Sequence, residues 1–208
     1  MEKTKTFVSA ILAGAMISIG GVVNLCMDNK IAGAFLFSVG LFYVVARQYS
    51  LYTGKVGYIV ENKVQYLLEL LTIAVGNFVG AFIVGNAMHL TRQQAIIEKA
   101  WNLCNVKIND TVISIFILAA FCGVLMYLAV DSYKAINDSF GKNFAVIMSV
   151  IVFILCGFEH CVANMFYFSA AGMWSPKVFF YIIVMILGNS FGSIIISGTK
   201  KFIVCNKK

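Results

Sequence analysis

The sequence predicts an all-α membrane protein with six transmembrane helices in a three-plus-three inverted repeat, in which helices two and five are interrupted. Hydrophobic residues make up 61% of the 208 residues and charged residues only 12%, whereas a soluble domain is nearer half apolar and a quarter charged. The mean hydropathy is +0.88. This composition excludes an ordinary water-soluble enzyme, and six helices of about 20 residues occupy most of the chain.

Four apolar segments are long enough to cross a bilayer. Residues 6–27, 111–130 and 178–199 carry no charge, and neither do the 22 residues between Glu69 and Arg92. Because a transmembrane helix needs about 20 apolar residues, we expect four full-length spans. The first is longer than the apolar core of a signal peptide, so we expect it to be a retained span.

Two further apolar segments are short. Residues 31–46 and 143–158 are uncharged over 16 residues each. Polar residues follow each segment, and a second apolar stretch comes next, at residues 56–60 and 161–173. Short or interrupted spans at matching places in two halves are typical of the broken helices that carry a transport site. The sequence therefore predicts that the second and fifth helices are broken.

The two halves of the chain share a motif. Residues 76–80 and 188–192 both read Gly-Asn-x-x-Gly in an apolar setting. Glycines at this spacing let two helices approach closely, so helix packing alone is one explanation of the motif. The paired asparagines, Asn77 and Asn189, favour an internal repeat, in which we expect them to support the structure.

A repeat of three spans requires the second copy to enter the membrane from the opposite side, because three is an odd number. Residues 11–13 and 117–119 both read Ile-Leu-Ala, which aligns the first span with the fourth. We expect a single domain, residues 1–208, with repeat one at about 6–90 and repeat two at about 108–199.

The basic residues predict the topology. Six spans place both termini on one side, and nine lysines then lie on that side against five basic residues on the other. The nine are Lys3, Lys5, Lys63, Lys134, Lys142, Lys200, Lys201, Lys207 and Lys208, and the five are Lys30, Arg92, Lys99, Lys107 and Lys177. Because basic residues favour the cytoplasmic side, we predict an integral membrane protein with both termini in the cytoplasm. The terminal lysines can also contact anionic membrane lipid.

The fifth segment carries polar residues inside an apolar run. Residues 157–165 read Gly-Phe-Glu-His-Cys-Val-Ala-Asn-Met. Such groups at mid-membrane face a cavity or one another. The imidazole of His160 can donate a hydrogen bond or a proton to an anion, although a histidine on an apolar face is often structural. We expect Glu159 and Asn164 to support the structure by binding backbone groups that the break frees.

The first break carries a second candidate group. Thr53 lies within the polar stretch at residues 47–55, and it precedes His160 by 107 residues. Inverted symmetry would bring two such points together near the midplane of the membrane. We therefore expect the Thr53 hydroxyl and the His160 ring to form a polar site between apolar walls. An ordinary polar loop is the alternative.

These motifs resemble one known family. Residues 158–165, Phe-Glu-His-Cys-Val-Ala-Asn-Met, resemble the Phe-Glu-His-Ser-x-Ala-Asn-Met signature of the formate/nitrite transporters. Residues 51–54, Leu-Tyr-Thr-Gly, resemble the Leu-Phe-Thr-Gly loop of that family, and residues 122–130 are similar to its fourth helix. Both Gly-Asn-x-x-Gly segments match its third and sixth helices. The resemblance covers nearly the whole chain.

The resemblance implies a homopentamer of aquaporin-like protomers in a bacterial inner membrane. Each protomer would have its own pore for a small monovalent anion such as formate, nitrite or hydrosulfide. Thr53 and His160 match the polar pair at the pore centre, and Lys107 matches a lysine in the entrance vestibule, unless it is simply a solvated loop lysine. The residues at constriction positions are Leu51, Tyr52, Phe153, Phe37, Leu41 and Met126.

The resemblance also suggests a mechanism. Apolar constrictions remove the hydration of an anion at high cost, and low dielectric disfavours its charged form. We therefore expect protons to take part, so that the neutral acid crosses. Three departures surround the first break: Ser50 stands where the family has an acidic residue, Tyr52 replaces a phenylalanine, and Arg47 has no counterpart.

Other functions fit the sequence less well. A channel for a neutral small solute such as water or glycerol is the alternative, but its breaks usually carry Asn-Pro-Ala, and the single proline, Pro176, lies outside both breaks. An enzyme, a metal or another cofactor is not expected, because two distant histidines and six scattered cysteines supply no metal-ligand spacing. The basic excess sets topology, so no nucleic acid partner is expected.

Overall fold

The structure, a computed structural model, describes residues 2–205 and the side chains of residues 3–204. Lys207 and Lys208, two of the lysines expected on the cytoplasmic side, lie outside the described residues. Within the described range the chain is helical and contains no strand. The α-helices are α1 (Glu2–Cys26), α2 (Lys30–Ala46), α3 (Tyr52–Lys55), α4 (Tyr66–Ala87), α5 (Gln94–Ile108), α6 (Val112–Ala135), α7 (Ser139–Leu155), α8 (Cys161–Ala170) and α9 (Pro176–Cys205). Two 3₁₀ helices cover Val56–Glu61 and Met88–Leu90.

Four helical segments of the described chain are long and apolar enough to cross a membrane. They are Lys3–Cys26, Tyr66–Leu90, Val112–Ala135 and Pro176–Val204. These segments coincide with the four long uncharged segments of the sequence, as predicted. The helices α2, α7 and α8 are apolar but only 10–17 residues long. Helices α2 and α7 lie at the two short uncharged segments, and α8 lies in the apolar stretch that follows the second one.

Polar side chains cap the beginnings of α2, α6 and α7. Asn29 caps α2 by accepting the N–H groups of Ile31 and Ala32. Thr111 and Asp138 each accept an N–H from the first turn of α6 and α7. Such caps bind the backbone donors that the first turn of a helix leaves without partners. Each of these capping residues stands at the end of a loop and directly before its helix, so the sequence itself indicates where these helices begin.

The helices α2 and α7 end in the same way. Gln48 follows α2 with a φ of 56°, and Gly157 follows α7 with a φ of 66°. The next residues, Tyr49 and Phe158, donate their backbone N–H groups to the carbonyls five residues back, at 2.8 and 2.9 Å. This is the hydrogen bond of a Schellman C-cap. Each helix therefore stops at a residue in the left-handed region, which turns the chain back.

Asn77 on α4 holds the first break. Its side chain is fully buried, and its Nδ2 donates to the carbonyls of Ala10 and Ser50 at 2.8 and 2.9 Å. Its Oδ1 accepts the N–H of Tyr52 at 2.8 Å. One amide thus binds three backbone groups and joins α1, α4 and the start of α3.

Asn189 on α9 holds the second break with the same set of contacts. Its buried Nδ2 donates to the carbonyls of Ala119 and Glu159, both at 2.8 Å. Its Oδ1 accepts the N–H of Cys161 at 2.9 Å. Backbone groups without partners cost several kcal/mol each in hydrocarbon, so these two side chains are what allow the chain to break inside the membrane.

The matching contacts correct the alignment of the two halves. The residues bound by the two asparagines pair as Ala10 with Ala119, Ser50 with Glu159, and Tyr52 with Cys161, each 109 residues apart. The Ile-Leu-Ala alignment, with its separation of 106, was wrong by three residues. Three residues are nearly one helical turn, so the shifted alignment keeps the same apolar face.

The glycines of the shared motif pack helices against each other. A Cβ at Gly80 would collide with the carbonyl oxygen of Ile11 on α1, and a Cβ at Gly192 would collide with that of Ala120 on α6. Helix α4 packs along α1, and α9 packs along α6. Helix packing therefore accounts for the glycines, whereas the asparagines between them hold the breaks.

The two helix ends predict opposite effects of substitution on stability. Replacing Gln48 with glycine should raise the free energy of unfolding by up to about 1 kcal/mol. The left-handed conformation costs a side chain about 1–2 kcal/mol, and glycine costs roughly 0.5–1 kcal/mol in entropy. Thermal unfolding of the purified protein in detergent measures the change.

The matched variant is Gly157→Ala. No atom lies within 4 Å of the position that its Cβ would take, so only backbone conformation can change its stability. We expect a loss of about 1 kcal/mol. Equal melting temperatures for Gly157→Ala and the wild type would contradict the assignment of strain to this position.

Candidate functional site

The structure brings Thr53 and His160 together. The Oγ1 of Thr53, on α3, lies 3.0 Å from the Nε2 of His160. Thr53 is fully buried, and His160 is 1% exposed. The sequence predicted this contact, although the 109-residue separation pairs His160 with Leu51 and Thr53 with Val162. The two groups meet because each follows its own break, and the breaks face each other.

The surroundings of His160 assign its protons. His160 caps α8, since its Nδ1 accepts the N–H of Ala163 at 3.1 Å. An accepting Nδ1 carries no proton, so the neutral ring carries its proton on Nε2 and donates to Thr53. The Thr53 O–H then has no acceptor among residues 2–205. It is the free donor of the pair, and a bound anion could accept it.

Two cavities approach this pair. The larger, of about 470 Å³, includes Leu51 and Gly54 in its wall, which lie within two residues of Thr53 in the chain. The smaller, of about 70 Å³, includes His160 and Lys107. The larger cavity also touches Val130 near the end of α6, whereas Lys107 lies just before the start of α6. Because α6 has 24 residues and is about 36 Å long, the cavities lie toward opposite ends of the molecule.

Apolar side chains separate the two cavities. The rings of Phe37 and Phe153 meet edge to face with centroids 5.5 Å apart, and the ring of Phe153 lies 5.6 Å from that of His160. Phe153 lines the smaller cavity and Leu51 the larger. All three apolar side chains are at most 2% exposed. An ion that passes between the cavities must therefore leave most of its water behind.

Leu41 and Met126 are buried at 1% exposure and belong to the core. Neither is among the described residues that line the two cavities. Their assignment to constrictions stays a prediction.

The departure at Tyr52 has a local explanation. Its hydroxyl lies 2.9 Å from the Oγ of Ser190, and Ser190 in turn donates to the carbonyl of Ile186 at 2.6 Å. Tyr52 is therefore the donor of the first bond. The Tyr52 hydroxyl is buried and needs such a partner, because a hydroxyl without a hydrogen bond costs free energy in an apolar environment. Ser190 is a variable position of the shared motif, so sequence reasoning missed this pair.

A buried ion pair lies beside the smaller cavity. The Nζ of Lys107 donates to the Oε2 of Glu159 at 2.6 Å, and the Nδ2 of Asn164 donates to the same oxygen at 2.7 Å. The side chains of Lys107 and Glu159 are 11% and 5% exposed. Asn164 also donates to the carbonyl of His160 at 3.0 Å, so this cluster supports the break. In this state the charge of Lys107 is paired.

The position of Lys107 depends on α5. One face of this helix is buried through Ile96, Ala100 and Cys104. Near the middle of the helix the Nζ of Lys99 donates to Asp28 at 2.8 Å. This hydrogen bond and the charge of Lys99 lower the pKa of Asp28 below its ordinary value. The helix ends at Lys107 and Ile108, so the ammonium group points back toward Glu159.

The structure adds four residues that sequence reasoning did not select. Asn24 and Tyr167 line the smaller cavity, and their side chains lie 3.5 Å apart. Lys55 and Lys134 line the larger cavity. Tyr167 belongs to the buried core and the other three lie beside apolar runs of the sequence, so the hydrophobic pattern alone does not distinguish these four residues. No cluster of three or more His, Cys, Asp or Glu side chains suitable for a metal occurs within the described range.

Comparison with known proteins identifies the family. The model of the formate/nitrite transporter family matches residues 1–203. The chain is 29% identical over 185 residues to the formate channel FocA of Haemophilus influenzae, covering 77% of this chain and 64% of the relative. It is 25% identical over 234 residues to the formate-nitrite transporter of Plasmodium falciparum, covering 94% of this chain and 76% of that one.

A solved structure shares the fold. The chain superimposes on a pentameric formate channel with formate bound with a TM-score of 0.84 at 24% identity, covering 98% of this chain and 97% of the other. The alignment with the Haemophilus influenzae channel covers about two thirds of that relative, 64% of its length. The family model extends over nearly the whole sequence, and the chain belongs to the formate/nitrite transporter family.

Proposed function

We propose that this protein conducts a small monovalent weak-acid anion, such as formate, nitrite or hydrosulfide, across a membrane. The observation that carries the proposal is the buried Thr53–His160 pair, which lies between two cavities that both contain lysine. Apolar side chains close the path on each side of the pair. A polar site enclosed in this way is suited to a solute that can lose its charge in transit.

The proposal includes the arrangement of the chain in the membrane. The matching contacts of Asn77 and Asn189 support six spans in a three-plus-three inverted repeat, with breaks in the second and fifth. The excess of basic residues on the side of the termini supports a cytoplasmic location for both. Lys201 on α9 donates to the carbonyl of Val60, which follows the first break, so the larger cavity would face the cytoplasm of a bacterial cell.

We also propose a homopentamer. The outer face of α9 exposes large apolar side chains, including Phe179, Ile183 and Leu187, which need lipid or a neighbouring subunit as a partner. The similar solved structure is described as pentameric. In such an assembly each protomer keeps its own pore, because the central pair lies inside one protomer.

Entry from the smaller cavity involves Lys107. Its ammonium group donates to Glu159 at 2.6 Å, so an arriving anion competes with a carboxylate for this donor. Charge-assisted hydrogen bonds are roughly twice as strong as neutral ones. The ammonium group attracts the anion there. Asn164 still donates a hydrogen bond to Glu159, so the carboxylate is not left without a donor.

At the central pair the solute meets two neutral donors. Thr53 O–H is free, and the Nε2–H of His160 can turn from Thr53 to an oxygen of the solute. A doubly protonated His160 would have to release its cap on Ala163, which favours the neutral ring as the resting form. The proton that neutralises the anion therefore comes from hydronium in the vestibule, which leaves water behind, and His160 orients the resulting acid by hydrogen bonding.

Flux measurements test the proposal directly. Proteoliposomes containing the protein should take up formate, nitrite or hydrosulfide, and uptake of the preferred anion should increase as the pH is lowered from 8 to 5. The reason is that acidity increases the fraction of neutral acid, which crosses apolar walls at far lower cost than the anion. Equal, pH-independent fluxes that include chloride would contradict proton participation. Passage of water or glycerol alone would indicate the neutral-solute channel.

His160→Asn tests the central site without removing the helix cap. Asparagine is among the favoured N-cap residues, so the variant should fold, whereas His160→Ala loses both the cap and the ring. We expect flux to fall by up to about tenfold, since a hydrogen bond between neutral groups contributes about 0.5–1.5 kcal/mol. Flux in His160→Asn equal to that of the wild type at every pH would exclude a role for the ring.

Lys107→Ala tests the vestibule. We expect the half-saturation constant to rise more than the maximal flux falls, because the lysine acts on binding before the barrier. The matched control is the double variant Lys107→Ala with Glu159→Gln, which removes the buried carboxylate that the single variant leaves without its cation. An unchanged half-saturation constant in the double variant would contradict the role of Lys107.

A further inference from the structure

Polar side chains follow one face of α8 away from the central pair. His160 caps the helix, and Asn164 and Tyr167 come four and seven residues later. Side chains at this spacing share one face of a helix, and all three residues line the smaller cavity. Each helical residue adds about 1.5 Å, so Tyr167 lies about 10 Å beyond His160 along the axis. The polar groups of this cavity therefore lead toward the central pair.

Asn164 carries an acceptor that has no donor. Its Nδ2 donates to the Oε2 of Glu159 at 2.7 Å and to the carbonyl of His160 at 3.0 Å. These two bonds fix the orientation of the amide, because the opposite orientation would place its oxygen against two acceptors. The Oδ1 has no hydrogen-bond partner among the residues that the structure describes, and Asn164 is 1% exposed. Such a buried acceptor favours a solute that brings an O–H group of its own.

Tyr167 carries a donor that has no acceptor. The Nδ2 of Asn24 on α1 donates to its hydroxyl oxygen at 3.5 Å, and within the described part of the chain nothing accepts the O–H hydrogen. Tyr167 is 4% exposed, so bulk water has little access to this hydroxyl. The O–H of Tyr167 is therefore available to a solute in the smaller cavity.

Close helix packing holds this donor in place. A Cβ at Gly21 would lie 2.6 Å from the ring of Phe166, so α1 and α8 touch one turn before Asn24 and one residue before Tyr167. The Oδ1 of Asn24 lies against α2, where a Cβ at Gly33 would come within 2.8 Å of it. Asn24 is thus fixed by α2 on one side while its amide holds the Tyr167 hydroxyl on the other.

The smaller cavity suits a small neutral solute. Its volume of about 70 Å³ is a little more than two water molecules occupy in the liquid, at about 30 Å³ each. Lys107 at its wall is paired with Glu159 at 2.6 Å, so the groups left for a solute are neutral. The other described lining residues carry no polar side chain, apart from those already named: Leu103, Phe153, Ile154, Gly157, Phe158 and Ala163.

We propose that Asn164 and Tyr167 bind the undissociated acid in the smaller cavity, before it reaches the central pair. The Oδ1 of Asn164 accepts the O–H of the acid, and the O–H of Tyr167 donates to its second oxygen. The site takes small oxyacids such as formic and nitrous acid in preference to hydrogen sulfide, because sulfur is a weak hydrogen-bond acceptor. This assignment rests on the proposed function, since it selects among the weak acids that the protein would conduct.

Tyr167→Phe tests the site, because it keeps the ring and removes only the O–H. With solute supplied from the side of the smaller cavity, we expect the half-saturation constant for formate to rise about two- to tenfold, the contribution of one hydrogen bond between neutral groups. The constant for hydrosulfide should change less than about twofold, because its sulfur gains little from the hydroxyl. A merely structural role of the hydroxyl would shift both constants alike.

Tyr181→Phe is the matched control. Tyr181 is also buried, at 6% exposure, and its hydroxyl donates to the carbonyl of Asp110 at 2.8 Å. It is not among the residues that line the two cavities. The control should lower the melting temperature and leave the ratio of the formate and hydrosulfide constants unchanged. Equal shifts for both solutes in Tyr167→Phe, or the same change of ratio in Tyr181→Phe, would overturn the proposal.

A binding measurement separates this site from the proposed function. Formate at pH 5 should raise the melting temperature of the purified protein, and Tyr167→Phe should need about two- to tenfold more formate for the same increment. The increment should be smaller at pH 8, where less undissociated acid is present. An equal increment at both pH values would indicate binding of the anion and contradict the site.

The flux and binding results distinguish the two proposals. Formate stabilisation that depends on the Tyr167 hydroxyl, in a protein without anion flux, would support the site and contradict the proposed transport. Formate flux together with formate stabilisation that is the same in Tyr167→Phe and the wild type would support transport and overturn the site.

Discussion

The structure depends on two side-chain amides that hold broken chain inside a membrane. Backbone N–H and C=O groups cannot bind water in hydrocarbon, so an interrupted helix is stable there only when protein groups replace the lost hydrogen bonds. Asn77 and Asn189 each bind three backbone groups, one on the neighbouring long helix and two beside the break. Glycines at the same helix faces let the backbones approach closely enough for these bonds. Packing and hydrogen bonding therefore act together, and neither would support the breaks without the other.

The contact between Thr53 and His160 is a consequence of this support. His160 ends the second break and caps α8, which fixes the ring orientation and the proton on Nε2. Thr53 lies one residue beyond Tyr52, whose N–H is held by Asn77. Both polar groups are thus positioned by backbone contacts rather than by each other. The bond between Thr53 and His160 can therefore open without loss of this geometry, because the supporting bonds are on other atoms.

The common backbone permits different chemistry in the two halves. Glu159, Asn164 and Lys107 form a compensated cluster beside the smaller cavity, whereas Ser50 and Lys55 leave positive charge beside the larger one. The backbone bonds to Asn77 and Asn189 involve the main chain at positions 50 and 159. The side chains there can differ without disturbing the break. Repeats of this kind can therefore share a scaffold while their entrances differ in charge.

The printed sequence alone was sufficient for the local features. Uncharged segment lengths located the four long helices and the two short ones, since the cost of charge in a bilayer acts residue by residue. The Phe-Glu-His string and the matching threonine indicated the central pair and the family. Tertiary structure decided the rest. The bonds from Tyr52 to Ser190 and from Lys107 to Glu159 join residues 138 and 52 positions apart, and no local pattern encodes such distances. The register of the two halves likewise followed from contacts of Asn77 and Asn189, because an apolar helix face looks much the same after a shift of nearly one turn.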